Sequence, residues 1–189
     1  MTSVAEPRVE PRSLILEELH SCISAVPESQ LLAARHALLS AQRVFTVGAG
    51  RSGLALKMAA MRWMHLGLEV HVAGEVTTPA ILSGDLLVVA SGSGSTSGAV
   101  QAAQVAKNAG AKLLAITTAP ASPLSLLADW QIVIPAVTKQ DHDGSISQQY
   151  AGSLFEQSVL LLTDAIFFQL WRERGESAAD LWKRHANLE

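Results

Sequence analysis

Residues 44–53 read VFTVGAGRSG, an apolar run followed at once by Gly48, Gly50 and Gly53. The run predicts a strand over 44–47, and the glycines predict a tight turn into a helix over 52–66 that Gly67 closes. The spacing is G-x-G-x-x-G, the fingerprint of a dinucleotide-binding turn, in which a pyrophosphate rests on the helix N-terminus. The same turn suits any phosphate, because the first turn of a helix offers free N–H groups and partial positive charge. The rest of the chain has to say which phosphate is meant.

Working outward, apolar residues at helical spacing predict two opening helices, 14–25 and 29–41, separated by Pro27. After the first strand and helix, further strands are expected at 69–73, 85–90, 112–117 and 131–135. A helix over 96–108, closed by Gly110, follows the third strand, and a short helix over 123–128 follows the fourth. Residues 136–150 read as a polar loop, and helices over 153–173 and 178–184 end the chain. Strands alternating with crossover helices demand an α/β fold, a three-layer αβα sandwich around a parallel sheet. LLVVA and KLLAIT are apolar without alternation, as strands covered on both faces should be. Five strands fit the flavodoxin-like order 2-1-3-4-5, which places the switch point between the carboxyl ends of strands 1 and 3. The expected organisation is one domain over 1–189, with N-terminal helices (12–42), a core sheet (43–135) and C-terminal helices and tail (151–189).

That placement gives weight to a second stretch, SGSGSTSG at 91–98, directly after the third strand. Ser91, Ser93, Ser95, Thr96 and Ser97 stand there among Gly92 and Gly94. Such runs are ordinary helix caps and turns when met singly. Two of them opening onto one switch point favour phosphate binding. Neither loop carries a lysine, and the GK[ST] of a Walker-type nucleotide site is absent, so such a site is not expected. A short run of hydroxyls suits one compact phosphomonoester. The alternative is a dinucleotide-binding oxidoreductase, for which Glu75 would be the acid after the second strand. It leaves the hydroxyl loop unexplained, and 189 residues leave little room for a substrate domain.

Composition narrows the class further. Apolar residues make up 49% of the chain and charged ones 16%, an excess that points to faces buried between subunits. A net charge of −3 with no Lys/Arg run argues against nucleic acid and against an anionic membrane. The single cysteine, Cys22, fits a reducing compartment. The N-terminus lacks an apolar signal region, and the greasy stretch 158–171 is short for a membrane span and contains Asp164. A soluble, cytoplasmic protein is expected. Asp141, His142 and Asp143 sit in a polar loop without further ligands at suitable spacing, so no metal site is expected.

The segments VGAGRSG, MHLG, TTPA, SGSGST, GSLFEQS and RHANLE occur in one order between about residue 12 and the C-terminus. Together they resemble the 6-phospho-3-hexuloisomerases, stand-alone enzymes of the sugar isomerase (SIS) domain superfamily. The resemblance implies a five-stranded parallel sheet between helices, a homotetramer, and a phosphosugar substrate. It also implies interconversion of D-arabino-3-hexulose 6-phosphate and fructose 6-phosphate without metal or organic cofactor. The family serves formaldehyde assimilation through the ribulose monophosphate route. On this resemblance Ser52 and the loop Ser91, Gly92, Ser93, Gly94, Ser95 and Thr96 hold the phosphate, with Gly50 and Arg51 beside them, and Glu156 is the catalytic base. Ser95 departs from the longer polar or charged side chain that the family often shows. A non-catalytic SIS sensor of sugar phosphates is the remaining alternative.

Several of these residues have a plainer reading on spacing alone. Ser153 and Glu156 stand as a capping box opening the last long helix. His65 sits in the last turn of a helix, where a cation meets the dipole favourably. His185 reads as a surface residue of the tail, and Arg51 as a solvated first-turn residue. The reaction nevertheless needs a base and a group that passes protons between oxygens. Glu156 is the candidate for the first task, and His65 or His185 for the second.

Overall fold

The computed structural model describes residues 10–137 and 147–188. The loop residues Asp141, His142 and Asp143 lie outside them. Strands β1 (Val44–Gly48), β2 (Val70–Val72), β3 (Leu86–Ala90), β4 (Lys112–Thr117) and β5 (Trp130–Val133) form one sheet in the order β2-β1-β3-β4-β5. All four neighbouring pairs are parallel. The helices are α1 (Pro11–Ser24), α2 (Glu28–Ser40), α3 (Gly50–His65), α4 (Ser97–Asn108), α5 (Pro123–Leu127), α6 (Ser153–Arg174) and α7 (Ala178–Trp182). The expected layers, topology and element types are all present.

Each strand feeds two apolar layers, because successive side chains point to opposite faces. Leu86, Val88 and Ala90 of β3 face the layer built with α1, α2, α3 and α6, while Leu87 and Val89 face the layer under α4. All five β3 residues are buried, which explains why LLVVA shows no alternation. The apolar helix α6 is long and apolar enough to cross a membrane by length and composition, yet half of its most apolar window is buried inside this fold. Leu154, Phe155, Val159, Leu162, Ile166 and Leu170 pack it into the first layer.

Two details fix the carboxyl end of the sheet, where the loops emerge. Gly48 pairs with Ala90 across β1 and β3, so the loops that follow these strands leave the sheet level with each other. Gly53, in the first turn of α3, lies against the backbone of Gly48. A Cβ built on Gly53 would stand 2.3 Å from the Gly48 carbonyl oxygen. The third glycine of the fingerprint is therefore required by helix-on-strand packing. At the opposite end Arg43 forks onto Asp85, with Nη2–Oδ2 at 2.6 Å and Nε–Oδ1 at 3.0 Å. Asp85 also accepts the Leu82 amide, joining the amino ends of β1 and β3.

The Gly53 contact predicts a strong asymmetry between two helix glycines. Gly53→Ala forces backbone against backbone and is expected to cost about 3 kcal/mol or more in chemical unfolding. Gly98→Ala, where nothing lies within 4 Å of the added Cβ, is expected to be neutral or to stabilise α4 by up to about 1 kcal/mol. Equal stability of the two variants would contradict the packing argument.

Candidate active site

The two glycine loops meet at the switch point between β1 and β3. They enclose a cavity of about 100 Å³ lined by Ser52, Ser91, Ser93 and Thr96 from the loops and by Gly152 and Phe155 from the start of α6. Ser52 and Ser91 are themselves buried. The cavity suits a headgroup: a drug-sized ligand fills about 300–1,000 Å³, so the rest of a larger ligand would lie outside. Three helix N-termini converge on it, those of α3, α4 and α6, each presenting the positive end of a dipole. Glu75, the acid that a dinucleotide reading needs, instead pairs with Lys57 at 2.7 Å.

The second loop is bound into itself. Ser91 and Thr96 share a hydroxyl–hydroxyl bond at 3.0 Å, and the Ser95 hydroxyl donates to Ser93 Oγ at 3.0 Å. Gly94 holds φ +60°, and a Cβ there would fall 2.0 Å from the Ser122 hydroxyl. Side chains are excluded at this turn on both counts. Ser122 belongs to the segment between β4 and α5, where the sequence marks no functional residue. That segment, with Thr117 and Thr118, supports the loop from behind, and no spacing signal marks it.

Glu156 is buried in the first turn of α6, beside Phe155 and one turn from Gly152. The capping box expected with Ser153 does not form. The N-cap is Gly152 with no side-chain bond, and the Ser153 amide donates to the Tyr150 carbonyl. The preceding backbone is the reason: Ala151 turns into the left-handed region at φ +50°, so the helix begins one residue earlier than the box requires. The Glu156 carboxylate instead pairs with Arg51 Nε at 2.6 Å. Arg51 is a largely exposed first-turn residue, as the plain reading has it, and it also links the first turn of α3 to the first turn of α6.

The structure does not bring His65 or His185 to this crevice within one chain. His65 lies at the far end of α3, thirteen residues beyond Ser52, a separation of about 20 Å along the axis. His185 stacks on His65 with ring centroids 5.0 Å apart, and Trp182 stacks on His185 at 4.5 Å. Arg184 fastens this arrangement by donating to the His65 carbonyl at 2.8 Å, and Arg174 donates to the Leu66 carbonyl. The arginines therefore satisfy the helix C-terminus, a role that the sequence reading gave to a charged His65. The His65 imidazole is buried, and burial first, then the neighbouring His185 and Arg62, push its pKa below the ordinary 6.5. The shift favours the neutral ring, which can donate from one nitrogen and accept at the other.

The sheet order and the paired glycine loops define an α/β domain of the sugar-isomerase class. The SIS domain profile matches residues 37–158, and the chain belongs to that family. It is 54% identical over 177 residues to the 3-hexulose-6-phosphate isomerase of Mycobacterium gastri, covering 94% of this chain and 89% of that protein. The 3-hexulose-6-phosphate isomerase of Bacillus subtilis (strain 168) is 39% identical over 176 residues, 93% of this chain and 95% of its own. Among solved structures, a Methanococcus jannaschii protein, from whose structure a 3-hexulose-6-phosphate isomerase function was inferred, has a TM-score of 0.82 at 27% identity. It covers 96% of this chain and 100% of that one.

The state of His65 is open to direct measurement. In a proton NMR titration its ring is expected to change charge below pH 6.5, and His185→Gln should raise that midpoint. A histidine kept neutral by the fold contributes fully above its ordinary pKa and less as the pH falls below it. Stability should therefore decline on acidification in wild type and decline less in His65→Gln. A midpoint at or above 6.5 would contradict the burial argument.

Proposed function

We propose that this protein is a cofactor-free isomerase interconverting D-arabino-3-hexulose 6-phosphate and fructose 6-phosphate. The observation that carries the proposal is the 54% identity, over 94% of the chain, to a curated isomerase of that name. The geometry supports it independently. The substrate's phosphate takes the cavity of Ser52, Ser91, Ser93 and Thr96, with Gly50, Gly92, Gly94 and Ser95 shaping the two turns around it. The sugar then extends over the rim towards Glu156 and Arg51.

In this reading Glu156 removes the proton from C2, and the electron pair forms the C2–C3 double bond of an enediolate. The same carboxylic acid returns the proton at C3, while the hydroxyl proton moves from the oxygen on C2 to the oxygen on C3. A base on one face of the sugar performs both carbon transfers. Arg51 stands where it would meet negative charge developing on those oxygens. The oxygen-to-oxygen transfer suits a neutral imidazole. Because His65 and His185 lie at the far end of α3, a second copy of the chain would supply them.

Leu54, Met58 and Met61 are exposed along one face of α3, and Phe168 is exposed on the neighbouring α6. An apolar face of this kind suits a homotetramer that brings α3 of one copy towards the crevice of another. The reading places the enzyme in the cytoplasm and in formaldehyde assimilation by the ribulose monophosphate route.

A coupled assay tests the activity: 3-hexulose 6-phosphate should yield fructose 6-phosphate with no cofactor added. Glu156→Gln preserves length and shape, so it should stay folded while kcat falls by roughly 10²–10⁴. A folded variant with near wild-type turnover would remove Glu156 from the role of base. Shared sites make a second expectation. Glu156→Gln and His65→Gln, each weak alone, should regain activity when refolded together, because mixed assemblies contain some crevices with both intact residues. No recovery in mixtures shown to exchange subunits would contradict a second copy's contribution.

A further inference from the structure

One carbonyl behind the hydroxyl loop is held unusually firmly. Gly92 O accepts the Thr118 amide at 3.0 Å, the Thr118 hydroxyl at 2.9 Å and the Thr117 hydroxyl at 2.9 Å. A carbonyl oxygen has two lone pairs, so three donors saturate it. The donors come from the end of β4, on the side of the loop away from α3.

A trans peptide points its N–H opposite to its C=O. With the Gly92 carbonyl aimed at Thr117 and Thr118, the Ser93 N–H of the same peptide unit is directed away from β4, towards the cavity that Ser93 lines. Among the described residues this N–H donates to no protein acceptor. Donors on the carbonyl also polarise the peptide unit and strengthen the N–H as a donor, since linked hydrogen bonds reinforce one another. The rest of the segment serves the same loop: the Leu124 amide donates to Gly94 O at 3.0 Å, and the Ser91 amide to Ile116 O at 3.0 Å.

We propose that Thr117 and Thr118 are positioning residues of the phosphate site, orienting and polarising the Ser93 amide so that it donates to the bound phosphate. This rests on the reading of the crevice as a phosphate site. Thr118 is the better handle, since Thr117 is fully buried and its hydroxyl also accepts the Ala119 amide. Thr118→Val keeps shape and backbone donor but loses the hydroxyl, and Thr118→Ser restores it.

The test is calorimetric titration with inorganic phosphate, followed by steady-state kinetics on the sugar phosphate. Thr118→Val should bind phosphate about three- to tenfold more weakly than wild type. KM should rise by a similar factor, with kcat little changed, and Thr118→Ser should return both towards wild type. A general loss of structure would instead lower kcat and melting temperature together. Should the valine variant not fold, Thr118→Ala is judged by the same criteria. Wild-type phosphate affinity and KM in the folded variant would overturn the positioning role. Failure of wild type itself to bind phosphate would overturn the phosphate site beneath it.

Discussion

The contact between Gly48 and Gly53 is the constraint on which the site depends. With no side chain on either residue, the first turn of α3 settles directly on the end of β1, and a Cβ on Gly53 would lie 2.3 Å from a backbone oxygen. That approach brings the N–H groups of the turn to the level of Gly48, which is also the level of Ala90 and the start of the second loop. Ser52 is thereby carried to within one small cavity of Ser91, Ser93 and Thr96. A wider turn would move α3 outward and open the cavity. The G-x-G-x-x-G spacing is accounted for by packing, and the proposed ligand follows from the hydroxyls of the neighbouring loop.

The crevice divides its work between two kinds of group. In the proposed function, phosphate recognition falls to hydroxyls and helix N-termini, which can hold a dianion without a fully charged side chain. The reacting carbons are there assigned to the Arg51–Glu156 pair, whose members come from the first turns of different helices. α6 is packed into the larger apolar layer through Phe155 and Val159, so the proposed base rides on a well-buried helix. The imidazoles are kept apart, held to the far end of α3 by Arg174, Arg184 and a three-ring stack. The proposed chemistry therefore needs more than one chain, and the exposed apolar face on α3 and α6 would give such an association a physical cause.

Sheet order, element types and both loops were legible in the sequence because they follow from local rules. Period-free apolar runs mark buried parallel strands, and glycines after a strand mark turns into helices. The Glu156 environment was half legible. Spacing pointed to a capping box with Ser153, but the backbone at Ala151 is left-handed and shifts the helix start, which no side-chain pattern announces. His65 misled in the same way: its place in a last turn suggested a charged cap, whereas arginines 109 and 119 positions along from it, Arg174 and Arg184, take that role. The support from Thr117, Thr118 and Ser122 was not legible at all. It depends on two loops from different strands meeting in space, and TTAPAS carries no periodicity that reveals its target.

The central claim is that the level pair of glycine loops holds the phosphate while Glu156 faces the carbons between which the carbonyl moves. A crystal structure with fructose 6-phosphate bound tests it most directly. The account predicts phosphate oxygens within hydrogen-bond distance of Ser52, Ser91, Ser93 and Thr96, with C2 and C3 against the Glu156 carboxylate. A phosphate seated elsewhere, or a sugar directed away from Glu156, would contradict it.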